Sequence, residues 1–387
     1  MSEPGRLTIL LTLKDRVAFT HRWLDYAAAA ALPFRILIAD GGADNDVAQA
    51  VAAKRAGGLD VEYVRYPVDH TYADYYAKLA DSLSRVTTPF VVLADNDDFF
   101  IKDGLSRAVE FLQAHPGHVA CGGQCAVFWV TGTGTAASDA LYSRTVEWKC
   151  SSQIFSDLAD SASQRLRDRC LGANDLFYAV HRTDLLRRHF EAIREFNPRD
   201  LFLVEQAVMF LTAIAGKTRQ LERLYIARQQ DSAGSSGGAH QERFGDWYDR
   251  MLTPTWSADF TRFVDVTSEA LARADGLSPA EARRLVVMSY KASVAPSLLS
   301  DLVSEPTVTF SMPMTLQIVR RLVRLPATSL LRRAARQWYR RTQWLSHDFV
   351  HGTEFRTRRA RAAALEFKPV GDFLSGADRH HSRTSGT

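Results

Sequence analysis

The chain has 387 residues, with 46% hydrophobic residues, 24% charged residues and a formal net charge of +4 at pH 7. This composition is typical of a globular protein with a large core and excludes a mostly disordered or collagen-like chain, and four cysteines are too few for a disulfide scaffold. At this length we expect two domains, or one large domain with an extension.

The first hundred residues alternate between short apolar runs and helical patterns. The alternation predicts strands over Leu7–Leu13, Arg35–Asp40, Val61–Tyr66 and Phe90–Ala94, and helices over Arg16–Ala31, Asp44–Ala56 and Tyr72–Arg85. Such an α/β pattern indicates a parallel sheet with helices on both faces. Ligands bind outside the carboxyl ends of the strands in such sheets, so the polar residues after each strand are the candidate site residues.

After the first hundred residues the pattern mixes strands and helices, and beyond about residue 250 it is almost entirely helical. We predict a strand over Val119–Val130, helices over Phe177–Ile193 and Leu201–Ala215, and a last strand over Leu221–Arg228. Residues 231–240 (DSAGSSGGAH) are typical of a flexible loop and are the best candidate for a lid or a domain border. The predicted organisation is an α/β domain over residues 1–245 that carries the candidate site residues, a helical, Arg-rich extension over residues 246–375 and a disordered tail over residues 376–387.

The sharpest local signal is the acidic turn Asp95-Asn96-Asp97-Asp98, directly after the apolar strand Phe90–Ala94. Three carboxylates in four positions repel one another unless a cation lies among them, and Mg²⁺ or Mn²⁺ accepts such oxygen ligands. An acidic turn that caps the following helix is the alternative.

Two other predicted strands also end in polar residues. Asp40 ends the second strand, where its carboxylate could accept from a ribose hydroxyl or a base N–H, and Gly41 would let the backbone approach a ligand closely. An ordinary turn uses the same residue types. The first strand ends in Thr12, Lys14 and Arg16, which would cradle a nucleotide or cap the first helix.

Together these turns resemble the family 2 glycosyltransferases, which have the GT-A fold. The Pro-Thr-x-Asn-Arg-like turn of that family is resembled by Leu11–Arg16, and its Asp-Asp-Gly-Ser-like turn by Ala39–Asp44. Its Arg/Asn-bearing helix is resembled by the helix that carries Lys78, and its Asp-x-Asp-Asp turn by Asp95–Asp98. The resemblance covers roughly residues 6–240 and implies a mostly parallel, twisted sheet flanked by helices.

The same family opens a late helix with a Glu-Asp pair whose aspartate acts as the base, usually 11 residues before a glycine. Gly216 follows Glu205 by 11 residues, so the resemblance assigns the base to Glu205, although Val204 stands where the family has its first acidic residue. An exposed helical carboxylate is the alternative for Glu205, and Asp175 and Asp200 are the competing candidates.

The resemblance also implies which residues hold the donor, a nucleoside diphosphate sugar, and a Mn²⁺ or Mg²⁺ ion. The metal ligands would be Asp95, Asp97 and His240. The donor ligands would be Thr12, Lys14, Arg16, Asp40, Gly41, Lys78, Asp95 and Arg228. The implied reaction transfers the sugar to a hydroxyl of a glycan or lipid-linked acceptor, with inversion at the anomeric carbon. Among the possible donors a UDP-sugar is the favoured one.

The segment 315–365 contains twelve arginines against Asp348 and Glu354, so it carries a formal charge of +10. Basic residues interleaved with aromatic ones suit the surface of an anionic membrane. A helical face packed on the catalytic domain or a homodimer contact is the alternative. We expect no nucleic-acid partner, because no nucleic-acid-binding motif is present.

The expected location is the cytoplasm, with peripheral attachment at the inner face of the plasma membrane and a role in bacterial surface polysaccharide synthesis. No apolar run approaches 18 residues, and Met1–Arg6 does not open a secretory signal. Two non-enzymatic alternatives stay open: a sugar-nucleotide or glycan-binding module, because the Glu-Asp pair is incomplete, and a membrane-associated assembly protein that acts through the basic helices.

Overall fold

The computed structural model describes residues 5–44, 46–130, 141–143, 146–151, 154–171, 176–230, 232, 234–304, 348–350 and 358–376. The strands, in chain order, are β1 (Leu7–Leu13), β2 (Arg35–Asp40), β3 (Val61–Arg65), β4 (Phe90–Ala94), β5 (Phe99–Phe100), β6 (His118–Val130), β7 (Val146–Ser151), β8 (Val180–Arg182), β9 (Lys217–Gln229) and β10 (Asp348–Val350). The helices are α1 (Val17–Ala29), α2 (Asp46–Ala56), α3 (Tyr72–Arg85), α4 (Lys102–Ala114), α5 (Ala162–Leu171), α6 (Thr183–Phe196), α7 (Leu201–Ala215), α8 (Ser236–Phe244), α9 (Trp247–Met251), α10 (Trp256–Asp275), α11 (Pro279–Ser304) and α12 (Arg358–Ser375).

The first four strands form the parallel half of one sheet. β1 lies in the middle, paired in parallel with β2 on one side and with β4 on the other, and β3 follows β2. In this register Leu13 lies beside Asp40, and Leu11 lies beside Ala94. The carboxyl ends of β1, β2 and β4 therefore meet at one edge, and the parallel sheet predicted for this part of the chain is confirmed.

The second half of the sheet is mixed. β8 runs antiparallel to both β4 and β6, β6 pairs antiparallel with β7, and the long β9 pairs in parallel with β6. The short β5 pairs antiparallel with β9, with Phe99 opposite Ala227. Because Arg228 follows Ala227, this pairing brings the end of β9 to the turn that follows β4.

Two predicted elements differ from the observed ones. The single helix predicted over Phe177–Ile193 is wrong: residues Val180–Arg182 form β8, and α6 begins only at Thr183. His181 fills the sheet between Val91 and Ala120, a long-range pairing that overrides local helical spacing. The loop predicted over 231–240 is also wrong from residue 236 onward, because Ser235 caps α8 by accepting from the Gly238 N–H at 3.2 Å.

The elements after residue 245 share one hydrophobic core with those before it. α10 packs on α7, and α12 lies against β7 and β9, where the Trp148 and Phe367 rings stack 4.6 Å apart. The Leu224 N–H of β9 donates to Glu366 of α12 at 2.8 Å. Most of the basic segment 315–365, and the predicted tail beyond residue 376, lie outside the described residues.

Among the helices that the structure describes, none combines the length and the hydrophobicity needed to cross a lipid bilayer.

Candidate active site

A cavity of about 1600 Å³ opens at the carboxyl ends of β1 and β4. It brings together ten of the residues predicted from the sequence: Thr12, Lys14, Arg16, Lys78, Asp95, Asp97, Asp200, Glu205, Arg228 and His240. Asp40 and Gly41 are not among its lining residues. Asp175 lies outside the described residues.

The acidic turn forms the centre of this cavity wall. One carboxylate oxygen from each of Asp95, Asp97 and Asp98 lies within 4.8 Å of the others. Burial raises the pKa of Asp95, and the nearby Asp97 charge raises it further. Burial likewise raises the pKa of Asp98, to about 8. Three carboxylates held this close without a cation cost free energy, so the turn is suited to bind one.

The three carboxylates differ in how many oxygens are engaged. Both oxygens of Asp98 accept hydrogen bonds, from Arg228 Nε at 2.9 Å and from the Gln229 N–H at 3.0 Å. For Asp95 and Asp97, only Oδ2 accepts a donor among the described residues: the Tyr178 hydroxyl for Asp95, and Arg16 and Ser232 for Asp97.

Within the described part of the chain, Oδ1 of Asp95 and Oδ1 of Asp97 therefore accept no hydrogen bond, and both atoms can bind a ligand. Two carboxylate oxygens with a cavity beside them fit Mg²⁺ or Mn²⁺, which takes one or two carboxylates and completes its shell with water and phosphate oxygens. Asp98 instead fixes β9 to the turn. Its role is to position Arg228, whose guanidinium lies 4.3 Å from the centre of the Tyr178 ring.

The structure places Asp40 beneath the cavity. Its carboxylate accepts from the Gly42 N–H at 2.8 Å, the Tyr63 hydroxyl at 2.7 Å and Arg65 Nη1 at 2.9 Å, and the residue is 2% exposed. All three of these donors belong to the protein, and the contact of Asp40 with a ribose or base stays a prediction. The carboxylate orients the turn after β2 and ties it to β3.

Gly41 is needed for a close contact within the protein. A Cβ atom at this position would lie 2.5 Å from Oδ1 of Asp69, so the backbone closely approaches a protein carboxylate, and its approach to a ligand stays a prediction. The Asp69 N–H donates to the Gly41 carbonyl at 2.8 Å, which fixes the same contact from the other side.

Asp69 is a site residue that the sequence analysis missed. It lines the cavity, and its Oδ2 accepts from Lys78 Nζ in a buried ion pair. Its Oδ1 is buried and has no hydrogen-bond donor within the described residues. The signal was available, because Asp69 follows the third strand, but three residues separate it from the end of β3, whereas Asp40 is itself the last residue of β2.

Asp200 acts as the N-cap of α7. Its Oδ1 accepts from the N–H groups of Phe202 at 2.9 Å and Leu203 at 3.2 Å, and its Oδ2 lies 3.1 Å from Arg250 Nε. A carboxylate engaged by a helix terminus and a guanidinium is poorly placed to take a proton from a substrate. These contacts give Asp200 a structural role, as the cap of α7 and the partner of Arg250.

His240 lies in α8, buried, and not in a solvated loop. Its Nδ1 lies 2.8 Å from the Tyr72 hydroxyl, and its Nε2 lies 3.4 Å from Oδ2 of Asp200. The group of potential metal ligands found among the described residues contains the three aspartates alone. The structure therefore places His240 in the contact between α8 and the first turns of α3 and α7, which differs from the predicted metal ligand.

Glu205 is the candidate base that remains among the described residues, and it lines the cavity from α7. Burial raises the pKa of the neighbouring Tyr75 and Tyr178 hydroxyls, and the Glu205 charge adds to this effect. The next residue, Gln206, instead accepts from the Ser293 hydroxyl of α11 at 3.1 Å. The helix thus presents Glu205 to the cavity and turns its neighbour toward the core.

Comparison with known proteins agrees with this architecture. Residues 12–178, from the end of β1 to the tyrosine that contacts Asp95, match the model of glycosyl transferase family 2. No curated protein matches the sequence of the chain.

Several solved structures are similar at low identity. S. aureus TarS 1–349 in complex with UDP-GlcNAc is 11% identical, with a TM-score of 0.49 over 97% of this chain and 92% of that one. The mannosyltransferase PcManGT from Pyrobaculum calidifontis, in complex with GDP-Man and Mn²⁺, is 13% identical, with a TM-score of 0.41 over 95% and 87%. A longer S. aureus TarS chain is 12% identical, with a TM-score of 0.47. The match covers 82% of the present protein but only 47% of the longer TarS chain.

The family match, together with a half-parallel sheet that carries an acidic turn at the end of β4, defines the class of this protein. It is a glycosyltransferase with a family 2 segment and the GT-A fold. The fold class, the family resemblance and the enzyme class predicted from the sequence are confirmed.

Proposed function

We propose that this chain transfers a sugar from a nucleoside diphosphate sugar to a hydroxyl of a glycan or glycoconjugate acceptor, with inversion at the anomeric carbon. The observation that carries the proposal is a pair of carboxylate oxygens in a cluster that lines a large cavity: Oδ1 of Asp95 and Oδ1 of Asp97 accept from no donor among the described residues. These two residues would hold Mn²⁺ or Mg²⁺. The bound ion supplies positive charge that stabilises the departing diphosphate.

The donor base is proposed to bind beside Asp69. Its buried Oδ1 needs a hydrogen-bond donor, and an unpaired buried acceptor costs about 1–3 kcal/mol. The imide N–H of uracil is such a donor, which fits the UDP-sugar that the family resemblance implies, and the N1–H of guanine would fit a GDP-sugar in the same way. Lys14 lines the same cavity and would place a positive charge toward the diphosphate.

Glu205 is proposed to be the general base. As the acceptor oxygen forms a bond to the anomeric carbon, its proton passes to the Glu205 carboxylate, and the bond between that carbon and the diphosphate oxygen breaks. Glu205 lies on α7, a different wall of the cavity from the turn after β4. A base and a leaving group on different sides of the sugar give inversion.

The acceptor is proposed to be a growing surface polysaccharide or a lipid-linked glycan, reached at the inner face of the plasma membrane through the Arg-rich segment 315–365. Support for this part comes from the family resemblance and the formal charge of +10, carried by twelve arginines and two acidic residues.

The proposed reaction is tested by nucleotide release. The purified chain is incubated with UDP- and GDP-sugars, Mn²⁺ and acceptor extracts, with and without chelator, and the released nucleotide is measured. We expect release that needs the metal and is abolished in Asp97→Asn. The control Asp160→Asn, whose side chain is 96% exposed, should keep full activity. Nucleotide binding without release for every donor, or an active Asp97→Asn variant, would overturn the proposal.

A further inference from the structure

Arg16 lies between β1 and α1 in a backbone conformation that residues with a side chain rarely adopt. Asp15 and Arg16 both have a φ angle of 57°, in the left-handed region. Two consecutive residues held there cost free energy, and such conformations persist where surrounding contacts stabilise them, frequently at functional sites. The contacts of these two side chains therefore indicate what the conformation serves.

The guanidinium of Arg16 is directed at the acidic turn. Nη1 and Nη2 both lie 3.1 Å from Oδ2 of Asp97, and Nη1 also donates to Oδ1 of Asn96 at 3.1 Å. The group lies 4.1 Å from the centre of the Phe19 ring, and its side chain is 14% exposed. Arg16 thus shares one carboxylate with the proposed cation, on the oxygen that the cation does not need.

Asn96 explains why one position of the acidic turn is not acidic. Its Oδ1 accepts from Arg16, while its Nδ2 donates to the Thr20 hydroxyl at 3.1 Å. A carboxylate at this position could accept but could not donate. The amide therefore fixes the guanidinium against Asp97, and the cavity-lining residue Ser232 donates to the same Asp97 oxygen.

We propose that Arg16 is a positioning residue that serves as the resident counter-ion of the metal site. It neutralises Asp97 when no cation is bound, weakens the binding of a divalent cation by repulsion, and attracts the diphosphate of the donor. The cation then binds tightly only together with the diphosphate, whose negative charge offsets the guanidinium. This inference rests on the proposed function.

Arg16 is expected to weaken cation binding and to strengthen diphosphate binding. Removal of its charge in Arg16→Gln should therefore change the two affinities in opposite directions. Mn²⁺ binding without nucleotide, measured by electron paramagnetic resonance of free Mn²⁺, should tighten about tenfold. UDP binding in chelator, measured by calorimetry, should weaken about tenfold. Arg16→Lys keeps the charge and should stay within about threefold of the wild type in both measurements. Simple structural damage would weaken both.

Arg16→Met gives the same test with the aliphatic packing over Phe19 retained, should the glutamine variant fold poorly. Unchanged or weaker Mn²⁺ binding in both uncharged variants, or unchanged UDP binding in chelator, would overturn the inference. If the wild type binds no Mn²⁺ even with UDP, the metal part of the proposed function fails. In that case tighter Mn²⁺ binding by Arg16→Gln still supports the counter-ion, and no binding by either protein overturns both.

Discussion

Lys78 and Asp69 form an ion pair in which the two side chains are only 2% and 3% exposed. Burial lowers the pKa of Lys78 and raises the pKa of Asp69, while the charge of each partner opposes the shift. Lys78 Nζ also donates to the Leu13 carbonyl at 2.6 Å. The pair thus joins α3 to the carboxyl end of β1, at the floor of the cavity.

Removal of the lysine charge should strongly destabilise the protein. In Lys78→Met the Asp69 carboxylate stays buried without its partner, and loss of one member of a buried pair costs about 3–5 kcal/mol. Urea denaturation should show this as a lower midpoint. Lys368→Met, which breaks a pair whose lysine is 64% exposed, should cost less than about 1 kcal/mol. The double variant Lys78→Met/Asp69→Leu should recover part of the loss; equal midpoints for the two single variants would contradict the prediction.

Gly41→Ala should impair donor binding through Asp69. The new Cβ would lie 2.5 Å from Oδ1 of Asp69, and the ion pair with Lys78 prevents that carboxylate from moving freely. Displacement of Asp69 should weaken UDP binding by about 10- to 10²-fold, since one hydrogen bond to a charged group contributes roughly 1.5–3 kcal/mol. Calorimetry in Mn²⁺ measures this. Gly117→Ala, where a Cβ meets nothing within 4 Å, is the matched control and should bind UDP normally.

The sequence predicted the parallel half of the sheet and the acidic turn well, because buried parallel strands are continuous apolar runs and Asp95 and Asp97 follow one directly. It could not show that Asp40 is engaged, since that depends on the register that places Arg65 of β3 beside it. His240 was assigned to a loop for a related reason: a Gly- and Ser-rich segment has loop composition, and the contacts of His240 with Tyr72 and Asp200 depend on the tertiary structure.

The variant Glu205→Gln should show whether Glu205, and not another carboxylate of the cavity, is the general base. We expect turnover to fall about 10²–10⁴-fold, the usual contribution of general-base catalysis, with UDP affinity and the melting temperature unchanged. Asp200→Ala should do the reverse and lower stability by about 2 kcal/mol or more, since the α7 cap is lost and Arg250 loses its partner. Gln206 accepts from Ser293 and points away from the cavity, so Gln206→Ala is the control for damage to the helix. Full activity of Glu205→Gln would reassign the base.

The Arg-rich segment 315–365 should bind anionic vesicles in a salt-dependent manner. Each arginine near such a surface contributes about 1 kcal/mol, so Arg332→Gln/Arg333→Gln/Arg336→Gln should weaken sedimentation with phosphatidylserine vesicles by about 10²-fold. Substitution of three exposed arginines elsewhere, Arg55, Arg194 and Arg273, is the matched control and should have little effect. No binding of the wild-type chain at low salt would refute membrane attachment through this segment.

Two buried histidines should make stability fall in mild acid. Burial lowers the pKa of His181 to about 4 and that of His189 to about 3, against about 6.5 in an unfolded chain. Below pH 6.5 the unfolded chain therefore binds more protons than the folded one. The free energy of unfolding should drop by up to about 1.4 kcal/mol per pH unit for each histidine, until the pH approaches the folded pKa.

His189→Leu isolates this effect, because Asp98, with its pKa raised to about 8, contributes a slope of opposite sign in both proteins. Within the described residues His189 Nε2 has no hydrogen-bond partner, so leucine removes a titrating group without breaking a bond to that atom. Urea denaturation at pH 7, 6 and 5 should show a smaller loss of stability in the variant than in the wild type, by about 0.7 kcal/mol between pH 7 and 6 and about 1.2 kcal/mol between pH 6 and 5, because the unfolded pKa of about 6.5 lies within this range. His70→Gln, at an exposed position, should keep the wild-type slope. If His189→Leu keeps it too, the imidazole is protonated in the folded protein, and the pH dependence comes from other groups.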